Sequence, residues 1–302
     1  MLRVAIISHS EAYYATRRLL EAGARLGYAM SRVDPIRVVL AARPQPALMD
    51  GERELPVPDV ALPRIGTTLS AWGLALLEAW CIAGARSAQT PAAIRRAGDK
   101  LVATLRFAER GIPFVPTVAC REPAHAAATL RMLTASTFEG ARDTWVMKPV
   151  AGTGGDGVCI ARGEASAHSV LAALTATHAV VLVQPFVPGT PARDLRVLVA
   201  GGEVLATCAR EATHGDFRAN VHQGGVARAV APGALPSGAV ELALRAAEAI
   251  GLPFAGVDLI ETPDGLAVLE VNASPGFRGI EEATGRDLAT PFLQRFIAWS
   301  AP

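Results

Sequence analysis

Residues 2–8 form an apolar run of strand length, residues 14–26 carry apolar positions at helical spacing, and residues 28–34 form a second run closed by Pro35. That is a β-α-β opening. Residues 59–65 read as another strand leading into an Ala-, Leu- and Trp-rich helix over 69–83, and this alternation predicts a parallel sheet. Pro91 opens one more helical stretch, after which the pattern around 111–116 changes to short strands and turns with a helix near 124–133. A first boundary is expected near residue 95. Beyond it, 144–150 and 157–161 read as strands flanking a glycine-rich loop, and 179–184 as a strand ended by Pro185 and Pro188. Residues 194–200 and 203–209 flank Gly201-Gly202, a hairpin turn, while 237–250 reads as a helix and 254–261 with 266–271 as two strands around Thr262-Pro263-Asp264-Gly265. The expected class is α/β: a parallel-sheet domain over 1–95, an α+β subdomain over 96–185 and a second over 186–302.

Composition narrows the function classes. With 302 residues, 51% hydrophobic and 19% charged, the chain can bury a sizeable core, which excludes global disorder. Its 29 basic and 28 acidic side chains leave a formal charge of +1, too balanced for bulk attraction to nucleic acid. Apolar runs such as 171–174 and 180–183 are too short to span a membrane, and the run 4–7 stops at Ser8-His9-Ser10-Glu11 rather than forming a secretory signal. A cytoplasmic protein is expected. Cys81, Cys120, Cys159 and Cys208 form no C-x-x-C pair and are expected to be reduced core thiols.

Gly152-Thr153-Gly154-Gly155-Asp156-Gly157 satisfies G-x-G-x-x-G, yet it precedes a strand rather than a helix and has no acidic residue about twenty positions on, which excludes a dinucleotide fold. No G-K-[ST] follows, which excludes a P-loop. What remains is a glycine loop, with Gly154 and Gly155 at its centre, between two antiparallel strands and with Lys148 at the end of the first. Backbone N–H groups of such a loop can lie over phosphates whose charge a lysine neutralises. A plain turn accounts for the glycines but not for Lys148 inside Trp145-Val-Met-Lys-Pro149.

The strongest chemical signal is acidic. Asp258, Glu270 and Asn272 interrupt otherwise apolar strands, and carboxylates in such strands need a partner. If the connecting loop is the three residues 263–265, Asp258 faces Glu270, and Asn272 shares their face; an even-length loop would separate them. Converging oxygen ligands near phosphates suit Mg²⁺, with Mn²⁺ as its substitute, whereas two acids on a solvated edge would need no metal. Asp194 and Arg196 share a strand face, either as an ordinary ion pair or beside a nucleotide. Arg210, Arg218 and Asn220 are candidates to hold a transferring phosphoryl group, since guanidinium groups stabilise its developing charge. Arg64 and Thr67, at a strand end of the parallel sheet, are candidates for carboxylate recognition. Among the histidines only His222 is a weak functional candidate.

Taken together these segments resemble the ATP-grasp superfamily and, within it, the RimK-type glutamate ligases. The resemblance rests on Leu62-Pro-Arg-Ile-Gly-Thr67, Arg96-Ala-Gly-Asp-Lys-Leu101, Lys148 with its glycine loop, Val183-Gln-Pro-Phe-Val187, Asp194-Leu-Arg196, Gly215-Asp-Phe-Arg-Ala-Asn220, Gly256-Val-Asp258, Glu270-Val-Asn-Ala-Ser-Pro-Gly276, Gly279-Ile-Glu281 and Thr284-Gly285. It implies that Lys100 and Lys148 contact ATP, that Gln184, Pro185, Phe186 and Val187 hold adenine at a hinge, and that Asp194 and Arg196 lie near ribose and phosphate. It also implies that Asp258, Glu270 and Asn272 bind Mg²⁺ and that Arg218 and Asn220 sit where an acyl phosphate forms. Pro185 stands where the family commonly has Glu. The activity implied is ATP-dependent amide formation through an acyl phosphate, adding L-glutamate to the carboxylate of a protein C-terminus. Two other readings stay open: the same chemistry on a pterin- or furan-type coenzyme, and an ATP-binding regulator without catalysis. A homo-oligomer is expected, with no nucleic-acid or membrane partner.

Overall fold

A computed structural model describes residues 1–66, 70–134, 138–139, 141–150, 157–176, 179–189, 193–213 and 225–301. Thr67, Gly154, Gly155, Arg218, Asn220 and His222 therefore lie outside the described residues.

β1 (Arg3–Ile7), α1 (Tyr14–Arg25) and β2 (Ala29–Val33) form the expected β-α-β unit. A small antiparallel meander, β3 (Val38–Ala41), β4 (Ala47–Asp50) and β5 (Arg53–Glu54), comes before β6 (Val60–Pro63) and α2 (Ser70–Ile82). β1 is the centre of a parallel sheet ordered β2-β1-β6. Both its faces are covered: Ala5 and Ile7 point into one core with Leu74, Leu77 and Trp80 of α2, and Val4 and Ile6 into another with Leu19 and Ala22 of α1. Continuous apolar strands are what a doubly covered parallel sheet requires.

The helical stretch opened by Pro91 is two helices, α3 (Pro91–Gly98) and α4 (Lys100–Glu109). Asp99 breaks them apart, because its extended backbone ends the first and its carboxylate caps the second, accepting from the N–H groups of Leu101 and Val102 at 3.0 Å each. Next come β7 (Val118–Cys120), α5 (Ala126–Thr134), β8 (Thr144–Pro149), β9 (Cys159–Arg162), α6 (Glu164–Thr175) and β10 (Val181–Pro185), with an antiparallel sheet ordered β7-β10-β8-β9. This unit has its own core around Leu130, Trp145, Met147, Leu171 and Val183. Pro185 ends β10 opposite Trp145, beyond the last β7 pairing at Val183, where a missing N–H breaks no ladder bond to β7.

β11 (Arg193–Ala200), β12 (Glu203–Glu211), β13 (Val226–Ala229), α7 (Ala239–Ile250), β14 (Phe254–Thr262), β15 (Gly265–Asn272), α8 (Arg278–Thr284) and α9 (Ala289–Trp299) complete the chain. Their sheet runs β13-β12-β11-β14-β15, all antiparallel. Gly201 and Gly202 turn the β11–β12 hairpin with φ of 67° and 71°, and a Cβ on Gly202 would meet the Trp299 ring at 3.5 Å. This sheet shares both cores with the first domain: Val197 and Val199 join the α2 side, while Leu198, Ala200 and Phe254 join the α1 side. There Phe254, Phe277, Phe292 and Phe296 pack edge-on or tilted, with centroid separations of 5.0–5.1 Å between three of their pairs. The first domain and the C-terminal sheet are therefore fused through shared cores, and the 118–185 unit keeps a separate core.

Candidate active site

Register across the C-terminal sheet brings charge together. Arg196 on β11 lies opposite Cys208 on β12 and Asp258 on β14, Asp258 lies opposite Glu270 on β15, and Asp194 lies opposite Arg210. Opposed residues share a face, so these side chains form two rows on one side of the sheet. Asn272, two positions beyond Glu270 and opposite Gly256, joins them.

The hairpin reaches this register by a route different from the expected one. Thr262 pairs with Gly265, so the turn is the two residues Pro263-Asp264 and not the three residues 263–265. Continued regularly, that turn would set Asp258 against Leu269. A one-residue bulge at Leu269, between the pairs Leu259–Val268 and Asp258–Glu270, restores the acid-on-acid register.

Asp258 is buried and accepts from two guanidinium groups: Arg196 grips it in bidentate fashion, with Nη2 to Oδ2 at 2.7 Å, and Arg210 Nη2 reaches Oδ2 at 2.9 Å. Burial opposes ionisation of Asp258, yet the two arginines hold its carboxyl below the usual range. Arg210 also donates to both oxygens of Asp194, at 2.6 and 2.7 Å, which settles Asp194 in a buried pair, not a surface one. Cys208 beside them is buried, and its thiol is pushed up to about 11, as expected of an inert core cysteine. All four cysteines are free.

Lys148 is half-buried on β8, and burial pushes its ammonium down to about 8, with Glu270 opposing that shift and Lys100 adding to it. Lys100 opens α4, Lys148 ends β8 and Glu270 lies on β15, so three separate elements converge on one electrostatic site. The hinge candidates are partly committed within the protein. Gln184 Nε2 donates to Thr117 Oγ1 at 2.7 Å, and the Phe186 N–H donates to the Thr144 carbonyl at 2.9 Å.

An all-oxygen donor set, Asp258, Glu270 and Asn272, lies on one face next to two lysines suited to phosphate, a chemistry that fits Mg²⁺. Asp258 would have to exchange an arginine bond for a metal bond. Among the described residues no three His, Cys, Asp or Glu side chains form a cluster fit for a metal, and a set completed by the Asn272 amide would not be such a cluster.

Three residues that the sequence patterns did not single out, Gln89, Tyr14 and Arg18, tie the first domain to the C-terminal segments around this site. Gln89, buried in the link before α3, donates from Nε2 to the carbonyls of Phe254 at 2.9 Å and Ala273 at 2.8 Å, tying the start of β14 to the segment after Asn272. Arg18 and Tyr14 of α1 donate to the buried Glu281 at 3.0 and 2.7 Å. Polar residues inside apolar surroundings were the available signal, but their partners lie 165 to 267 positions away.

Arg64 follows β6, and its N–H donates to the Ile7 carbonyl at 2.9 Å. Its guanidinium carbon lies 5.6 Å from the centroid of the Phe277 ring. It is thus apart from the Arg196–Asp258 rows but connected to them by the short segment that follows Asn272.

Comparison with known proteins agrees with this architecture. Residues 2–94 match the RimK PreATP-grasp domain and residues 97–296 the RimK-like ATP-grasp domain. A protein of Enterobacter sp. (strain 638) named probable alpha-L-glutamate ligase is 35% identical over 299 residues, covering 99% of this chain and 95% of its own. A ribosomal protein bS6--L-glutamate ligase of Salmonella schwarzengrund is 34% identical over 294 residues, with coverage of 97% and 95%. Among solved structures, the ATP-grasp ligase PsnB with a minimal precursor superposes with a TM-score of 0.74 at 19% identity, covering 100% of this chain and 99% of that one. The D-cycloserine synthetase DcsG gives 0.73 at 20% identity, with 99% coverage of both. No helix among the described residues is long and apolar enough to cross a membrane. The chain belongs to the RimK-type ATP-grasp family and is an ADP-forming ligase that makes carbon–nitrogen bonds.

Proposed function

We propose that this ligase adds L-glutamate to the C-terminal carboxylate of a protein through an acyl phosphate. The observation that carries the chemistry is the Arg196–Asp258–Glu270 row set beside Lys148 and Lys100. The two relatives named as glutamate ligases, one of them acting on ribosomal protein bS6, support the choice of amine and acceptor.

A carboxylate is a poor electrophile. The acceptor carboxylate attacks the γ-phosphorus of ATP, breaking its bond to the bridging oxygen and releasing ADP. The amine nitrogen then attacks the acyl carbon, phosphate leaves with the C–O electron pair, and the amine loses a proton. Lys148 and Lys100 neutralise the triphosphate, and Arg196 and Arg210, with Arg218 and Asn220, hold the phosphoryl group in flight. Asp258, Glu270 and Asn272 would hold Mg²⁺, which when bound would supply positive charge to offset that of the phosphoryl group. Exclusion of water is essential, since an acyl phosphate hydrolyses readily. No protein nucleophile is required.

Purified protein with ATP, Mg²⁺ and labelled glutamate, added to a cell extract split into protein and small-molecule fractions, tests this reading. Label in one protein band is the expected result. Label in a small metabolite would replace the acceptor, and ATP binding without any ADP release would overturn the ligase assignment.

A further inference from the structure

An α/β sheet is expected to form a crevice outside the carboxyl ends of its strands where the strand order reverses, and the first-domain sheet has such a point. After β1 the chain turns towards β2 on one side, and after β6 it turns towards Arg86, which bridges Val60 on the other. The carboxyl ends of β1 and β6 therefore flank a topological switch point, where α/β sheets accept ligands. Arg64 stands there, followed in the chain by the helix α2 that opens at Ser70.

Among the described residues no carboxylate shifts the ionisation of Arg64. Its Nε is withdrawn from solvent and has no hydrogen-bond partner; the other such nitrogens among the described residues, on Trp80 and Trp145, are neutral indoles. Burial alone pushes the guanidinium down to about 10. A half-buried cation with no described anion beside it is suited to receive one from a ligand.

The other wall of the crevice identifies that ligand. Arg64 stacks on Phe277, and Arg278, next in the chain, lies over the Tyr14 ring at 5.2 Å. Residues 273–277 lead back from this wall to Asn272, and Pro275 and Arg196 flank Gly256 so closely that a Cβ there would meet them at 3.0 and 3.1 Å. Arg196, Gly256, Pro275, Phe277 and Arg64 thus form a chain of neighbours from the phosphoryl-transfer rows to the crevice. The arginines of the rows are already matched by Asp194 and Asp258, whereas Arg64 offers a fork-shaped donor that no described carboxylate occupies.

We propose that Arg64 anchors the α-carboxylate of the incoming amino acid, gripping it through its terminal guanidinium nitrogens while the neighbouring amine faces the phosphorylated acceptor. This rests on the ligase reading above, and it adds the residue that recognises the amine substrate. A carboxylate suits the planar guanidinium bidentately, and an α-carboxylate places its charge next to the reacting nitrogen.

Calorimetric titration of the full-length protein, with Mg²⁺ and a non-hydrolysable ATP analogue present, tests it without knowledge of the acceptor. The twenty amino acids are titrated, and the tightest binder is compared with its α-carboxamide. Wild type is expected to prefer the carboxylate by about 30-fold or more; Arg64→Gln loses about that affinity and discriminates little between the two, and Arg64→Lys falls between them. Nucleotide affinity stays unchanged, and the Tm of Arg64→Gln equals or exceeds that of wild type, which a structural arginine would not allow. If an amino acid other than glutamate binds most tightly, the glutamate assignment fails while Arg64 is still tested with that amino acid. If Arg64→Gln retains wild-type affinity and preference, or if wild type binds no amino acid, the anchor assignment is overturned.

Discussion

Arg210 is buried and Arg64 half-buried, and their surroundings treat the same side chain in opposite ways. Arg210, 6% exposed, donates to two carboxylates and is held in its charged form above its ordinary value. Arg64 has a buried Nε without a partner and is pushed down to about 10. In the sheet the ligand-free protein neutralises its own charge, so an arriving phosphate has to compete with Asp194 and Asp258 for the arginines, and a metal with the arginines for Asp258. At Arg64 no described carboxylate matches the cation, so on the proposed reading a ligand would supply the missing charge. The first arrangement favours a rigid scaffold, and the second favours recognition at some cost in stability.

The largest effect expected from this contrast is on Asp258. Asp258→Asn leaves Arg196 and Arg210 short of a buried anion and should destabilise the fold by about 3–5 kcal/mol in urea unfolding. It should also lower ADP formation by more than about 10²-fold, because a metal donor and the arginine alignment are lost together. Arg64→Gln should show no such loss of stability. Equal urea midpoints for the two variants would break the comparison, because the sheet network would then be no more structural than the crevice. A double-mutant cycle between Asp194→Asn and Arg210→Gln sharpens it, with a coupling of about 1–3 kcal/mol expected for a buried bidentate pair.

The acid pair itself was legible in the sequence, although the assumed turn was wrong. Polar residues in apolar strands named Asp258 and Glu270, but the two-residue turn at Pro263-Asp264 alone would have separated them, and only the bulge at Leu269 brings them opposite. A bulge has no dependable signature in a segment such as Ala267-Val-Leu-Glu270, because it is set by packing on both faces of the strand. The β-α-β opening and the strands around the glycine loop were readable from apolar runs. The meander over Val38–Ala41, Ala47–Asp50 and Arg53–Glu54 was not, since much of it is exposed and only Val38, Ala47 and Leu48 of its residues are buried. The pairing of Asp258 with two arginines was also hidden, since it needs the register of three strands at once.

Gln89 carries the next effect. Gln89→Leu keeps the volume but strands the carbonyls of Phe254 and Ala273, each of which loses a buried donor, and should cost about 2–4 kcal/mol. The segment 273–277, which joins the metal-side strand to the wall under Arg64, would lose its anchor. Turnover should therefore fall several-fold at saturating ATP while nucleotide affinity measured by calorimetry stays unchanged. A variant that weakens nucleotide and amine binding equally would show that Gln89 serves general stability and does not position the link between sheet and crevice.

The smallest effect concerns Glu281, which fastens α1 to the C-terminal helices. It accepts from Tyr14, from Arg18 and from the backbone N–H of Leu288 at 2.8 Å. Burial pushes its carboxyl up, but these donors prevail and hold it below the ordinary glutamate value of 4.5. Because the native state then binds fewer protons than the unfolded chain, Glu281 contributes its full stabilisation above that value and loses it as pH falls through the lower native one. Glu281→Gln should cost about 1–2 kcal/mol near neutral pH, since Arg18 keeps Asp287 and Glu21 as partners. In urea unfolding followed from pH 7 to pH 3, the gap between wild type and Glu281→Gln should narrow on the acid side, where the wild-type carboxylate is itself protonated. A gap that stays constant over that range would mean that the Glu281 charge contributes nothing and that its hydrogen-bond geometry alone joins the first domain to the sheet.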